Sequence, residues 1–390
     1  MSQNTDRKRI LLCLAHMSGE EMKYIQEAFD TNWVVPLGPN VNAFENDLEN
    51  FVNTTTGGNT LNKKVIALSA GTAAVHLGLV ALGVKAGDEV ICQSFTFAAS
   101  ANPVVYQGAT PVFVDSEPGT WNMDPNLLED AIKDRIAKTG KKPKAIIPVY
   151  LYGMPAYIDE IMEIAQRYDI PVLEDAAEGF GSNYRGQTCG TFGSYGVMSF
   201  NGNKMITTSG GGALICPNDE AKKRILFFAT QAREPFPYYQ HEHIGYNYRM
   251  SNICAGIGRG QMTIAADHIA HHHHVAGFYA DAFKDIEGID LHVAPEDYMD
   301  PNYWLCTVTV DPKAFGIDYE QLRQILDAAA IESRPLWKPM HMQPIYKNAP
   351  AYVNGVSEAL FKIGLCLPSG PCVTDDDLNY IVDTIANARK

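Results

Sequence analysis

The sequence lacks the patterns that mark disulfide-stabilised, zinc-binding and membrane proteins. Its eight cysteines are scattered and include no C-x-x-C pair, which favours reduced core thiols over a disulfide framework or a zinc site. No apolar run approaches the ~18 residues of a membrane span, and the run from Ile10 to Ala15 is too short for the core of a secretory signal. We therefore expect a cytoplasmic protein.

Positive charge is scarce as well. The chain has 31 Lys and Arg residues against 45 Asp and Glu residues, and its net charge is -14. This excess repels phosphate backbones, so we expect no nucleic-acid partner, and an anionic substrate must be met by a local pocket. The length of 390 residues, without an internal repeat, is enough for a large core divided between two unequal domains.

A run of histidines, His268 and His271 to His274, suggests a metal site at first sight. The surrounding pattern is helical, so four consecutive histidines point in different directions and cannot converge on one ion. A solvated helix face or an oddity of expression is the alternative interpretation. We expect no metal.

Strands alternate with helices through the first 250 residues, which predicts an α/β fold. Such spacing implies a mostly parallel sheet covered by helices on both faces. The segment Gly211 to Cys216 follows the preceding strand too closely for a crossover helix, so it should be antiparallel to its neighbour. Beyond Asp281 the pattern changes to α+β. The predicted parallel strands occupy residues 65–69, 88–93, 110–115, 144–150 and 171–175.

The most informative residue is Lys204, which follows an apolar strand ending at Ser199 and precedes a Thr, Ser and Gly turn. Desolvation disfavours the ammonium form of an amine and leaves more of it as the free nucleophile that Schiff-base chemistry needs. Taken alone, a lysine is more often a solvated surface charge. Asp175 changes that balance, because it ends an apolar strand about thirty residues earlier.

An amine and a strand-end acid together favour pyridoxal 5'-phosphate (PLP) as the cofactor. PLP is an electron sink while its ring nitrogen stays protonated, and a strand-end Asp such as Asp175 keeps it so. The Ala70-Gly71-Thr72 turn before a helix could bind the phosphate or could be only a tight turn. Phe97 could stack on the ring or belong to the core. Ligands of such sheets bind at the carboxyl ends of the strands, where these residues lie.

With these residues in hand, the chain resembles the DegT/DnrJ-type family of PLP-dependent sugar-nucleotide aminotransferases. The resemblance runs essentially end to end, and its specificity comes from five ordered motifs. They are Leu37-Gly38-Pro39, Ser69-Ala70-Gly71-Thr72-Ala73, Asp175-Ala176-Ala177-Glu178, Ser199-Phe200 with Lys204, and Gly245-Tyr246-Asn247-Tyr248-Arg249.

The resemblance implies PLP fold type I, which is aspartate-aminotransferase-like, with a mostly parallel seven-stranded sheet and a smaller α+β C-terminal domain. It also implies a homodimer whose active site is built from both chains. We place an arm and helix that pack with the small domain at 1–35, the large PLP-binding domain at 36–250 and the small domain at 251–390.

Site residues follow from the same resemblance. Lys204 is expected to form the Schiff base and to move the proton during transamination, Asp175 to hold the pyridinium and Phe97 to stack on the ring. Glu178 matches a position close to the ring hydroxyl, and Asn247 one that reaches the phosphate of the other subunit's cofactor. The residues expected to bind the phosphate are Gly71, Thr72, Ala73 and Ser199.

The substrate is also suggested by resemblance. Residues 331–341 and 365–370 are most similar to transaminases of the UDP-N-acetylbacillosamine pathway, which implies a UDP-linked 4-keto-6-deoxy-N-acetylhexosamine, an amino donor such as glutamate, and a role in surface-glycan or glycoprotein sugar synthesis. Candidate substrate contacts are Arg334, Lys338 and His341. The alternatives are another ring carbon, a GDP- or dTDP-linked sugar, and a non-catalytic sugar-nucleotide-binding regulator. A related dehydratase would carry histidine in place of Lys204.

Overall fold

The computed structural model describes residues 8–55 and 61–389. The helices are α1 Glu21–Asp30, α2 Pro39–Asn53, α3 Gly71–Ala81, α4 Asn102–Tyr106, α5 Pro125–Thr139, α6 Ile158–Arg167, α7 Asp219–Ala229, α8 Asn252–Met262, α9 Ala265–Phe283, α10 Pro312–Phe315, α11 Tyr319–Ala328, α12 Val356–Phe361 and α13 Asp375–Ala388. The strands are β1 Lys64–Leu68, β2 Glu89–Gln93, β3 Thr110–Val114, β4 Ala145–Ile147, β5 Leu173–Asp175, β6 Asn183–Tyr184, β7 Gln187–Thr188, β8 Tyr195–Ser199, β9 Gly212–Cys216, β10 Ile289–Leu291, β11 Met299–Asp300, β12 Cys306–Val310, β13 Arg334–Pro335, β14 Ala351–Tyr352 and β15 Gly364–Leu367.

The central sheet has the order β1-β9-β8-β5-β4-β2-β3. Two ladders form its halves, and parallel bridges from Ile146 to Val172 and from Val149 to Asp175 join β4 to β5. Only β9 runs antiparallel to its neighbours. The predicted mostly parallel seven-stranded sheet is therefore confirmed, including the antiparallel strand that begins after Gly211. β14 adds a short parallel strand beyond β3 and was not predicted from the sequence.

The predicted strand at 144–150 is shorter in the structure. Only Ala145 to Ile147 form β4, and the chain then turns at Leu151 to Gly153. Tyr152 has a φ of 55° in this turn and Gly153 one of 92°, a left-handed region that side chains other than glycine rarely adopt. The turn ends β4 early and places the backbone of Tyr152 beside Glu178.

Sequence signals set several helix ends. Asp124 caps α5, where its carboxylate accepts from the N–H groups of Asn126 and Leu127, and Pro125 occupies the first helical position. Thr374 and Asp377 form a capping box at the start of α13. α3 differs, because seven of its eleven residues, 73–79, are buried and it packs against β8 and β9 in the core.

The C-terminal part has its own antiparallel sheet, β10-β12-β15-β13. Apolar side chains of α9, α11 and α13 pack with it into one hydrophobic cluster, as predicted for an α+β region. α8 packs against α1 and α2. The boundaries after residues 35 and 250 stay a prediction, and residues 1–7 of the arm lie outside the described residues. None of the helices between residues 8 and 389 that the structure describes is long and apolar enough to cross a bilayer.

Candidate active site

A cleft of about 750 Å³ lies at the carboxyl ends of the central strands. It is lined by Thr72 after β1, Phe97 after β2, Asp175 at the end of β5 and Ser199 at the end of β8. Lys204, five residues beyond Ser199, lines the same cleft. The parallel strand order brings together residues that are far apart in the sequence, because parallel strands end at one edge of the sheet.

Asp175 forms part of the inner wall and is only 4% exposed. Its Oδ2 accepts a hydrogen bond of 2.6 Å from the hydroxyl of Ser100, and its Oδ1 accepts one of 3.1 Å from the N–H of Ala177. Burial raises the pKa of Asp175, while the Ser100 bond, the Ala177 bond and the charge of Lys204 lower it. Its carboxylate thus has fixed donors on one side and an open cleft on the other.

The amine of Lys204 lies between a carboxylate and an aromatic ring. Its Nζ is 3.3 Å from Oε1 of Glu178 and 3.9 Å from the centroid of the Trp304 ring. The side chain is 13% exposed. Sequence reasoning expected apolar neighbours, but the structure adds an acidic partner and a π face, and both favour the charged form of an amine.

Glu178 is buried, and its second oxygen accepts a bond of 2.7 Å from the N–H of Tyr152. Burial raises the pKa of Glu178, and the charge of Lys204 lowers it. Cys13 also lines the cleft, and burial raises the pKa of its thiol to about 12. The Cys13 thiol therefore stays protonated near neutral pH and is a poor nucleophile.

The first turn of α3 provides a cradle for an anion. Its N-cap is Ala70, so no side chain occupies the orphan N–H groups of the helix start, which attract phosphates. β9 passes so close to the start of α3 that its first residue, Gly212, must be glycine. A Cβ at this position would collide with the backbone nitrogen of Gly71. Gly71 and Thr72 face the cleft beside the hydroxyl of Ser199.

An aromatic wall closes the other side. Phe97 is 59% exposed although it lines the cleft, and its ring centroid is 5.3 Å from that of Trp337. Trp337 in turn lies 6.4 Å from Trp304 between centroids. A flat apolar face left open beside a buried carboxylate fits a pyridine ring, so the donor set, the helix start and the aromatic surface all fit PLP.

Four predicted site residues do not line this cleft. Ala73 is buried in α3. Asn247 is exposed and lines a neighbouring cavity of about 380 Å³ together with Arg249. Lys338 is half-buried outside the lining, and Nδ1 of His341 is 2.7 Å from the hydroxyl of Ser94.

The histidine run belongs to α9, and the interpretation of it as a solvated helix face is wrong for His268 and His272, because both are buried. Nδ1 of His272 lies 3.0 Å from the carbonyl oxygen of Tyr303, and His274 pairs with Asp375. Within residues 8–55 and 61–389, no three His, Cys, Asp or Glu side chains are grouped so that they could hold a metal ion.

Sequence reasoning missed Ser100, Trp304 and Trp337. Ser100 had the weak signal of a hydroxyl three residues after Phe97, in the loop that follows a strand end. Trp304 and Trp337 come from the C-terminal part, and nothing in their local pattern distinguishes a cleft residue from a core residue. Arg334, which was predicted, lines the cleft and pairs with Glu332 at 2.8 Å.

The fold and the cleft are those of a PLP-dependent aminotransferase. The chain belongs to the DegT/DnrJ/EryC1/StrS aminotransferase family, whose profile matches residues 15–386. As a member of this family, the chain is an aminotransferase that uses PLP.

Curated relatives match nearly the whole chain. EpsN of Bacillus subtilis (strain 168), named as a presumed PLP-dependent aminotransferase, is 45% identical over 97% of this chain and 95% of its own. GDP-perosamine synthase of Escherichia coli O157:H7 is 36% identical over 95% of each chain. UDP-2-acetamido-2-deoxy-3-oxo-D-glucuronate aminotransferase of Pseudomonas aeruginosa is 33% identical over 90% of this chain and 91% of its own.

The fold also matches a solved structure. The crystal structure of a DegT DnrJ EryC1 StrS aminotransferase from Brucella abortus superposes with a TM-score of 0.87 at 29% identity and covers 95% of each chain.

Proposed function

We propose that the protein transfers an amino group from L-glutamate to the 4-keto carbon of a UDP-linked 4-keto-6-deoxy-N-acetylhexosamine, in the synthesis of a surface-glycan or glycoprotein sugar. The observation that carries the chemistry is that Lys204 and Asp175 face one cleft. The UDP-linked acetamido sugar is supported by the similarity of residues 331–341 and 365–370 noted above, and by the P. aeruginosa relative whose name includes a UDP-linked 2-acetamido sugar.

In this proposal each wall of the cleft binds one part of PLP. Asp175 pairs with the ring nitrogen, Phe97 lies against the ring, and Glu178 lies near the ring hydroxyl. The phosphate is bound by the N–H groups of Gly71 to Ala73 at the start of α3 and by the hydroxyls of Thr72 and Ser199. When bound, PLP supplies an electron sink for breaking bonds at the α-carbon of an amino acid.

Lys204 carries the acid-base chemistry of the protein. Its amine would hold the cofactor covalently. When free, the amine would take a proton from the α-carbon of the donor and deliver it to a carbon of the cofactor within the same half-reaction. The second half-reaction reverses these roles with the keto sugar. The two substrates therefore alternate at one site, and ping-pong kinetics are expected.

The cleft has one exposed cationic side chain that could bind an anionic sugar nucleotide. Apart from Lys204, the only cationic side chain among the described lining residues is Arg334, and it is exposed. We assign Arg334 to the diphosphate, and we keep Lys338 and His341 as candidate substrate contacts although neither lines the cleft. Arg334→Ala should raise KM for the nucleotide sugar about tenfold, the equivalent of ~1.4 kcal/mol, and leave the glutamate half-reaction unchanged. Arg334→Lys is the control that keeps the charge.

We also propose a homodimer with shared sites, in which Asn247 reaches the phosphate of the partner's cofactor. The exposed Asn247 lines a cavity beside the first one, and Ser69 and Gly210 line both. Mixing inactive Lys204→Ala and Asn247→Ala chains tests this arrangement. A shared site restores activity, because one site of each mixed dimer is then intact. Sites made within one chain stay inactive after mixing.

The substrate is tested by supplying UDP-, GDP- and dTDP-linked 4-keto-6-deoxy sugars side by side with glutamate, and by measuring both the amino sugar and 2-oxoglutarate. We expect equal amounts of the two products and the highest kcat/KM with UDP-4-keto-6-deoxy-N-acetylglucosamine. Lys204→Ala is the control for background. A second candidate, a GDP-linked keto sugar, is favoured by the 36% identity to GDP-perosamine synthase, and a preference for the GDP-linked substrate would replace the first.

A further inference from the structure

The contacts of the Lys204 amine come from two distant parts of the chain. Glu178 follows β5, whereas Trp304 precedes β12 in the C-terminal part. Trp304 is 3% exposed, so its ring is fixed by packing and presents one face to Nζ at 3.9 Å from the centroid. An aromatic face at this distance attracts a cation, and the attraction grows when water is excluded.

Three hydrogen bonds hold Trp304 in this place, one made by its indole and two made by its backbone. Its Nε1–H donates to the carbonyl oxygen of Asn203 at 2.7 Å, directly before Lys204. The backbone N–H of Trp304 donates to Oδ1 of Asn302 at 2.8 Å, and its carbonyl oxygen accepts from Ser369 at 2.9 Å. The position of the ring is thus fixed relative to the segment that contains Lys204.

The side chain of Asn302 forms hydrogen bonds with both residues that contact the amine, Glu178 and Trp304. While its Oδ1 accepts from Trp304, its Nδ2 donates to the carbonyl oxygens of Glu178 at 2.7 Å and Phe180 at 2.8 Å. The side chain is fully buried, so all three bonds lie away from water. One amide therefore links the backbone of Glu178 to the backbone of Trp304, the two residues whose side chains contact the amine of Lys204.

We propose that Trp304 is a positioning residue that holds the free amine of Lys204 and stabilises its ammonium form while it carries a proton. During transamination Nζ gains a proton from a carbon and later loses it to a carbon, so no net proton is consumed and the amine is a cation for part of each half-reaction. The positive charge that develops at Nζ is then stabilised by the face of the Trp304 ring and by the carboxylate of Glu178. Both groups are already in position before the charge develops. This inference rests on the proposed role of Lys204.

Two substitutions distinguish the effect of the aromatic ring of Trp304 from the effect of its N–H hydrogen bond. Trp304→Phe and Trp304→Leu both lose the N–H bond to Asn203, but only Trp304→Leu loses the π face. With an α-deuterated amino donor, proton transfer should limit the rate of the glutamate half-reaction more in Trp304→Leu than in Trp304→Phe. We expect kcat of the glutamate half-reaction to fall about tenfold in Trp304→Leu and about threefold or less in Trp304→Phe, with a larger deuterium isotope effect in Trp304→Leu and KM within about twofold.

A second measurement needs no cofactor and no turnover. In cofactor-free enzyme, acylation of Lys204 by acetic anhydride is followed by peptide mass spectrometry as a function of pH. Loss of the π face should move the midpoint of this reactivity profile to lower pH in Trp304→Leu than in Trp304→Phe, because the ammonium form is less stabilised. A change in reagent access alone would scale the rate at every pH and leave the midpoint in place. Trp121→Phe, a buried tryptophan that does not line the cleft, controls for a general loss of stability.

Equal isotope effects and equal midpoints in the two variants would overturn the proposal, since the indole would then act only through its N–H bond. This outcome differs from a failure of the proposed function. If the function itself is wrong, the wild-type protein fails to bind PLP or to transfer an amino group, whereas an error confined to Trp304 leaves wild-type activity intact.

Discussion

The hydroxyl of Ser100 donates a 2.6 Å hydrogen bond to Oδ2 of Asp175. Thr96 lies 2.8 Å from the same serine oxygen, and because the Ser100 proton points to Asp175, Thr96 is the donor in that pair. Two buried hydroxyls therefore stabilise the charged form of an acid that burial alone would disfavour. The charged form is the one that can keep a pyridine nitrogen protonated.

Ser100→Ala should move the acid limb of the kcat profile to higher pH. The Ser100 bond lowers the pKa of Asp175 against the effect of burial, so its removal raises that pKa and the carboxylate is lost at a higher pH as the pH falls. The pH dependence of the glutamate half-reaction measures the shift. Ser357→Ala removes another buried hydroxyl, one without a hydrogen-bond partner, and should leave the profile unchanged. An unchanged profile in Ser100→Ala would remove the serine from this role.

Gly212→Ala should weaken PLP binding about tenfold or more, equivalent to at least ~1.4 kcal/mol. The added Cβ would collide with the nitrogen of Gly71 and push the first turn of α3 away from Ser199. Equilibrium titration of the cofactor-free protein with PLP measures the effect. Gly277→Ala is the matched control, because a Cβ there meets nothing within 4 Å on an exposed face of α9. It should leave PLP affinity unchanged and raise the free energy of unfolding by about 0.5–1 kcal/mol. Wild-type affinity in Gly212→Ala would contradict the phosphate cradle.

Asn302→Ala should lower the free energy of unfolding by about 3 kcal/mol. It leaves two buried carbonyl oxygens and the N–H of Trp304 without their partner, and unpaired buried polar groups cost about 1–3 kcal/mol each when the site relaxes little. Urea unfolding of the cofactor-free protein measures the change. Asn379→Ala removes one exposed amide bond within α13 and should cost less than about 0.5 kcal/mol. Similar losses in both variants would mean that Asn302 does not organise the site.

His272 should make stability fall in acid. Burial lowers the pKa of His272 to about 3, from 6.5 for a free imidazole, so between these values the unfolded chain binds a proton that the folded chain does not. The free energy of unfolding then falls as the pH decreases through this window. Between about pH 7 and 5, wild type should lose about 2 kcal/mol more than His272→Gln. His243→Gln, at an exposed position, controls for loss of an imidazole, and equal slopes in wild type and His272→Gln would contradict the assignment.

Strand ends could be predicted from the sequence, and with them the convergence of Asp175, Phe97 and Lys204 on one cleft. The reason is geometric, because an alternating strand and helix pattern leaves few topologies, and in all of them parallel strands end together. Partners from elsewhere could not be predicted in this way. Ser100 reaches Asp175 across 75 positions of sequence, and Trp304 reaches Lys204 only because the C-terminal part packs over the sheet.

Local conformation explains a second group of missed features. Tyr152 has a φ of 55°. In this conformation its N–H donates to the carboxylate of Glu178, and its hydroxyl accepts from the backbone N–H of Trp337 at 2.9 Å. A Tyr-Gly pair in the sequence indicates a turn but not its handedness at the tyrosine. The same holds for Lys204, whose burial could be inferred but whose acidic and aromatic neighbours depend on tertiary contacts.

The central claim is that Lys204 anchors the cofactor opposite Asp175, and borohydride reduction of the PLP-loaded protein tests it most directly. Reduction converts the labile link between PLP and an amine into a stable one, which peptide mass spectrometry can locate. The account predicts a yellow protein that, after reduction and digestion, carries the pyridoxyl group on the peptide containing Lys204, and none on that peptide in Lys204→Ala. A protein that stays colourless with PLP, or a label on a different lysine, would contradict it.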